Sequence, residues 1–203
     1  MTFLEANGGR FRIQLDGPED APWLVLSNSL GATLDMWAPQ VDAFASTFRV
    51  LRYDTRGHGG SFVTRGPYDI ELLGRDVLGL LDALQVATAS FCGLSMGGAT
   101  GLWLATHAPE RFERFVICHT LPWLGPPQAL LERAAKVREA GLEPIVEAVL
   151  ERWFTAEFRR RDPQTVDRIR AAFVANPVEG YAACCEALAG YDVRAQLGRI
   201  DRP

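Results

Sequence analysis

Apolar positions along the chain follow two rhythms. "RFRIQL" (Arg10–Leu15) alternates apolar and polar residues, the period of a half-buried strand. "PWLVLSNS" (Pro22–Ser29) is short and almost continuously apolar, as expected of a strand buried on both faces. "WAPQVDAFAS" (Trp37–Ser46) reads as a short helix. "FRVLRYDT" (Phe48–Thr55) reads as a strand ended by the turn-rich "RGHGGS". Over "YDIELLGRDVLGLLDALQ" (Tyr68–Gln85), the residues Ile70, Leu73, Val77, Leu80, Leu81 and Leu84 fall on one helical face. "ATASFCG" is the next predicted strand and "GATGLWLATHA" a helix stopped before Pro109. "RFVICHT" (Arg114–Thr120) is again a strand. Strand and helix alternate, which predicts an α/β fold with a mostly parallel sheet covered on both faces.

After Thr120 the rhythm changes. "LPWLGPP" breaks the chain, and helical spacing then recurs in four stretches: Leu130/Ala134/Val137, Ile145/Val149/Trp153, Val166/Ile169/Phe173, and Tyr181 to Leu188. No strand pattern intervenes, so these read as an inserted cap of four helices. "LGRIDRP" reads as the lead-in to another strand. The organisation expected is a core over residues 1–122, a helical cap over 123–195, and a return to the core beginning over 196–203.

Composition narrows the functional classes. With 203 residues, one domain carrying an insertion is the default. A formal charge of −4 argues against nucleic acid as a partner. "MTFLEANGGRFRIQLDG" has no apolar stretch of the kind that opens a secretory signal, and no apolar run is long enough to span a bilayer. The cysteines at 92, 118, 184 and 185 do not form a disulfide framework, so reduced thiols and a cytoplasmic location are expected. No Cys or His spacing resembles a metal site, and no cofactor is expected.

The chemistry centres on "CGLSMGG". Gly93-Leu94-Ser95-Met96-Gly97 is G-x-S-x-G, with a predicted strand before it and a helix after it. In that context a serine sits on a sharp turn with its hydroxyl exposed above the sheet, so Ser95 is the candidate nucleophile. An oxyanion hole should accompany it. The Met96 N–H lies at a helix N-terminus, where the dipole favours negative charge. The second donor should come from the loop after an earlier strand, and Leu30 in "SNSLGATLDMW" is the candidate, with Gly31 supplying backbone freedom. Cys92 reads as a buried thiol, and His58 and His107 as structural residues. His119, at the carboxyl end of its strand, is expected to lie near the site.

With these residues in view, the chain resembles the α/β-hydrolase superfamily from about residue 10 onward. "SNSLGATLDMW" stands where many members carry His-Gly-x-x ending in Trp; Asn28-Ser29-Leu30-Gly31 fill those places, which departs from the His-Gly pair and supports Leu30 as a donor. "YDTRGHGGS" matches the D-x-R-G-x-G-x-S turn, and "APERFERFVICHT" the A-P-E-R stretch. A finer similarity is to 3-oxoadipate enol-lactonases, carried by "LSNSLGATLDMWAPQV", "FRVLRYDTRGHGGS", "GPYDIELLGRDVLGLLDAL", "FCGLSMGG" and "GYAACCEAL". The resemblance implies an α/β-hydrolase fold with a helical cap, no cofactor, and hydrolysis of a small anionic enol-lactone to 3-oxoadipate. A carboxylesterase, a cofactor-free haloperoxidase or a non-catalytic ligand-binding scaffold of the same fold are the alternatives. Trp123, at the cap entry, and Trp153, on an apolar helical face, are candidates for substrate contact. Arg159, Arg160 and Arg161 read as a solvated face. Self-association into a homo-oligomer is left open. The resemblance also implies an acid and a histidine beyond Pro203, with the sheet continuing there. A polypeptide that ends at Pro203 is accordingly expected to associate and to turn over no substrate.

Overall fold

The computed structural model describes residues 2–203. Six strands make one sheet: β1 (Thr2–Ala6), β2 (Gly9–Asp16), β3 (Trp23–Ser27), β4 (Arg49–Tyr53), β5 (Ala89–Leu94) and β6 (Phe112–Cys118). Their spatial order is β1-β2-β4-β3-β5-β6. β2 pairs antiparallel with both β1 and β4, while β4, β3, β5 and β6 run parallel. Of the parallel strands, β3, β4 and β5 are buried along almost their whole length because both their faces are covered, whereas β6 is largely open. Val25, Leu51 and Phe91 pack on one side with Val77, Leu80 and Leu81 of α2 (Ile70–Ala83) and Leu104 of α3 (Met96–His107). Their strand neighbours Leu24, Leu26, Val50 and Cys92 face the other side, against Trp37 and Phe44 near α1 (Ala38–Ala45). Each large aliphatic side chain buried this way contributes roughly 1.5–3 kcal/mol. The predicted face of α2 is the buried one, apart from half-buried Leu84 near its end. Asp69 caps that helix, accepting from the Leu72 N–H at 2.6 Å.

Three expectations need correction. Residues 2–6 form β1, which the alternation analysis did not identify; Asn7 and Gly8, at φ 40° and 82°, make the tight hairpin turn into β2. The inserted segment holds five helices rather than four: α4 (Gln128–Ala140), α5 (Glu143–Trp153), α6 (Ala156–Arg161), α7 (Pro163–Val174) and α8 (Val178–Ala189). The extra one, α6, is a turn and a half capped by Thr155, whose hydroxyl accepts from the Phe158 N–H at 3.1 Å. Finally, the expected strand lead-in begins as a 3-10 segment over Arg194–Arg199. Only afterwards does the chain extend, and the Pro203 carbonyl accepts from the Phe115 N–H of β6 at 2.9 Å.

The helical layer docks on the carboxyl ends of β3 and β4. Phe173 of α7 and Tyr181 of α8 lie against Gly31, in the loop after β3. Gly180 of α8 meets Gly57, in the loop after β4, backbone to backbone. A Cβ on either glycine would collide with main-chain atoms of the other. Leu30, Met96 and Ala99 of the sheet layer share one apolar cluster with Val137, Val149, Phe173 and Tyr181 of the helical layer.

Candidate active site

Ser95 occupies the junction between β5 and α3 with φ 56° and ψ −109°. A non-glycine residue in that region stores backbone strain of about 1–3 kcal/mol and persists only where its surroundings hold it. Three hydrogen bonds and two close main-chain approaches do so. The Ser95 N–H donates to Cys118 O at the end of β6 at 2.8 Å, and the Ala99 N–H donates to Ser95 O at 2.9 Å. The Gly97 N–H donates to Asn28 O at 2.9 Å. Gly93 and Gly97 permit the turn: a Cβ on Gly93 would overlap the Gly97 carbonyl, and a Cβ on Gly97 would overlap the Ser27 carbonyl. Both glycines of G-x-S-x-G are thus required by close main-chain approach.

The bond from Gly97 to Asn28 brings the loop after β3 against the N-terminus of α3. Residues Ser29 to Ala32 form a turn, closed by the Ala32 N–H to Ser29 O at 3.0 Å, with Gly31 third at φ 84° as a type II turn requires. Among the described residues, neither the Leu30 N–H nor the Met96 N–H finds an acceptor in the protein. Two unengaged amides therefore stand on facing segments beside Ser95, one of them at the positive end of α3.

Buried side chains hold this loop. Asn28 is the residue standing at the departure from His-Gly. Its Nδ2 donates to Tyr53 O at 2.7 Å, and its Oδ1 accepts from Trp37 Nε1 at 2.9 Å. Gly31 is held on both sides: its N–H donates to His58 Nε2 at 2.9 Å, and its carbonyl accepts from Asn176 Nδ2 at 2.9 Å. The neighbouring turn is fixed by Asp54, which accepts from the N–H groups of Leu34 at 2.7 Å and Gly60 at 2.8 Å and pairs with Arg12 at 3.2 Å. Below it, Arg56 and Asp76 form a buried pair at 2.5 Å.

The remaining candidates fall in different places. Trp153 is half-buried and packs edge-on against Phe173, with ring centroids 5.9 Å apart, one side chain removed from Gly31. Trp123 is 37% exposed and lies under Arg194, whose guanidinium carbon sits 4.3 Å from the ring centroid. None of its described contacts is to the loop after β3. Arg159 pairs with Glu151 at 3.3 Å, and Arg160 is exposed. His107 stacks on Trp103 at 4.6 Å. His119 is exposed, with a left-handed backbone at φ 51°, directly after the carbonyl that holds Ser95. Burial pushes the Cys92 thiol up to about 11, which leaves it protonated and unreactive near neutrality. No side chain among the described residues hydrogen-bonds the Ser95 hydroxyl, and no histidine follows His119 in the sequence. Among the described residues there is also no cluster of ligating side chains suited to a metal ion, and no helix long and apolar enough to cross a membrane.

Sequence reasoning missed Asn176. It lies between α7 and α8, before Pro177, where it reads as an ordinary turn residue, and its bond to Gly31 spans 145 positions.

The α/β hydrolase fold family model matches residues 22–196. Among curated proteins, the chain is 49% identical to 3-oxoadipate enol-lactonase 2 of Acinetobacter baylyi over 187 residues, which is 92% of this chain and 70% of that protein. It is 40% identical to 3-oxoadipate enol-lactonase 1 of the same organism over 203 residues, covering 100% of this chain and 76% of that protein. Among solved structures, the enol-lactonase from Burkholderia xenovorans LB400 superposes with a TM-score of 0.97 at 48% identity, covering 100% of this chain and 78% of that one. By its sheet order, its strained serine turn and these likenesses, the chain belongs to the α/β-hydrolase fold family.

Proposed function

We propose that this protein is a serine hydrolase that opens the ring of 3-oxoadipate enol-lactone. The observation that carries the reading is the strained Ser95 turn with two unengaged amides beside it. The substrate follows from the two relatives and the solved structure that bear the enol-lactonase name.

In this reading Ser95 Oγ attacks the lactone carbonyl carbon while a base takes its proton. The carbonyl oxygen becomes an oxyanion and accepts from the Leu30 and Met96 N–H groups. When the intermediate collapses, the bond to the ring oxygen breaks, and that oxygen leaves as an enolate. It takes up a proton, and the enol tautomerises to the ketone of 3-oxoadipate. Water then attacks the acyl-Ser95 ester, frees the carboxylate and restores the hydroxyl. An enolate is a stabilised leaving group, so stabilising the oxyanion carries most of the demand on the enzyme. The base and its orienting acid are the roles that the described residues leave unassigned. Phe173 and Tyr181 form the apolar wall nearest the Gly31 turn, and Trp153, packed edge-on against Phe173, is in this reading the tryptophan closer to the substrate side.

The test is a comparison of kcat/KM for the enol-lactone and for a linear p-nitrophenyl ester, using the full-length protein. A clear preference for the lactone, abolished in Ser95→Ala, is the expected result. Faster turnover of the linear ester would reassign the protein as a carboxylesterase. Turnover of neither would leave only a ligand-binding scaffold.

A further inference from the structure

We infer that His58 and Asn176 are positioning residues for the oxyanion hole, and that through Asn176 the docking of the helical layer sets the geometry of the Leu30 donor. This rests on the serine-hydrolase reading, though not on the identity of the lactone.

The argument starts from the turn. In a turn with glycine third, the peptide joining Leu30 to Gly31 can flip at small cost, because glycine accepts either sign of φ. The Leu30 N–H itself belongs to the preceding peptide, whose Ser29 carbonyl accepts from the Ala32 N–H at 3.0 Å, so a displacement of the Gly31 peptides reaches the donor through that turn bond. Two buried side chains oppose the flip. The Gly31 N–H belongs to that peptide and donates to His58 Nε2 at 2.9 Å. The next peptide carries the Gly31 carbonyl and accepts from Asn176 Nδ2 at 2.9 Å. On the other flank, Asn28 O is held by the Gly97 N–H at 2.9 Å. The Leu30 N–H lies between fixed peptides, and it is the one left without an acceptor.

Both clamping side chains are themselves fixed. Because His58 Nε2 accepts, its proton resides on Nδ1, which lies 3.3 Å from the Arg56 carbonyl. Asn176 Nδ2 also donates to Ala172 O at 3.1 Å and Phe173 O at 3.0 Å, at the end of α7. Its Oδ1 accepts from the Gly59 N–H at 2.9 Å. One side chain of the helical layer thus joins the loops after β3 and β4. Asn176 is 4% exposed and His58 is fully buried, so water does not compete for these bonds.

The experiment uses Asn176→Asp, which keeps size and the acceptor for Gly59 but replaces the donor to Gly31 with an oxygen. His58→Leu and His58→Gln accompany it; the glutamine returns an acceptor. For each, kcat and KM are measured on the enol-lactone and on p-nitrophenyl acetate, with the melting temperature and the Kd for an alkyl boronic acid. The tetrahedral boronate adduct on Ser95 places an oxygen in the oxyanion hole. Asn176→Asp and His58→Leu should each lower kcat about 10- to 100-fold, less than the loss of a whole donor, with KM changed by less than about threefold. Boronate affinity should fall by the same factor as kcat, and His58→Gln should recover most of both. A lower melting temperature with kcat and boronate affinity unchanged would show packing alone and overturn the inference. Should Asn176→Asp not fold, the two His58 variants decide the matter by the same readouts. A wild-type protein that hydrolyses neither substrate and binds no boronate would overturn the serine-hydrolase reading itself, and the clamp with it.

Discussion

His58 shows how one buried ring ties stability to pH. Burial pushes its pKa from 6.5 down to about 4, opposed by its hydrogen bond to the Arg56 carbonyl. Above pH 6.5 the ring is neutral in both folded and unfolded chains, and it costs nothing. As the pH falls from 6.5 to 4, the unfolded chain binds a proton that the folded chain refuses, so stability is lost over that window, by roughly 3 kcal/mol. Urea unfolding between pH 4.5 and 7.5 should show this slope reduced in His58→Gln, and equal slopes in the two proteins would contradict it. A second test concerns the elbow. Gly97→Ala drives a Cβ into the Ser27 carbonyl, backbone against backbone, with no flexible side chain able to give way. Relief requires the elbow to move away from β3, carrying Met96 from Leu30. Activity should fall by at least about 100-fold, because an error near 1 Å in a catalytic constellation has that effect. A Gly97→Ala enzyme within tenfold of wild type would show that the contact relaxes harmlessly.

At the scale of elements, contact between helix and loop decides how the inserted layer sits. Gly180 lets α8 approach the Gly57 turn to main-chain contact, and the neighbouring Cys184 places its sulfur 3.7 Å from the Arg56 carbonyl. Gly180→Ala must push the helix outward, which should cost about 1–3 kcal/mol. For a chain of this size that is a fall of several degrees in melting temperature, at roughly 2–4 °C per kcal/mol. An unchanged melting temperature would mean that α8 does not bear on the turn. The same scale shows what could be read in the sequence. The parallel strands, α2 and the G-x-S-x-G turn were legible because their signals are local: apolar runs, helical periodicity, two glycines around a serine. β1 was legible in principle, since Asn7-Gly8 is a strong hairpin signal, but "TFLEA" is too short for its alternation to stand out. The short α6 was hidden by its run of arginines, which reads first as solvated charge. Asn176 could not have been found, because its meaning lies in a partner 145 residues away.

At the scale of the molecule, sheet and helical layer share one apolar cluster, and the serine turn lies at their junction. The sheet is less evenly protected. β6 lies at its edge with Val116 54% exposed, and beyond β5 its main chain meets the Pro203 carbonyl. An apolar edge strand invites pairing with another chain. The open β6 edge should therefore make association concentration-dependent in sedimentation, and Val116→Lys should shift the protein toward monomer. A monodisperse monomer at all concentrations would contradict that. The central claim, that the hydroxyl of Ser95 is the nucleophile, has a more direct test. The full-length protein is treated with a fluorophosphonate, enol-lactone turnover is followed to completion of labelling, and the modified peptide is mapped by mass spectrometry. One adduct per chain on Ser95, appearing in proportion to the activity lost and absent in Ser95→Ala, is the predicted result. Inactivation with the adduct on another residue, or full turnover by a protein fully labelled at Ser95, would contradict it.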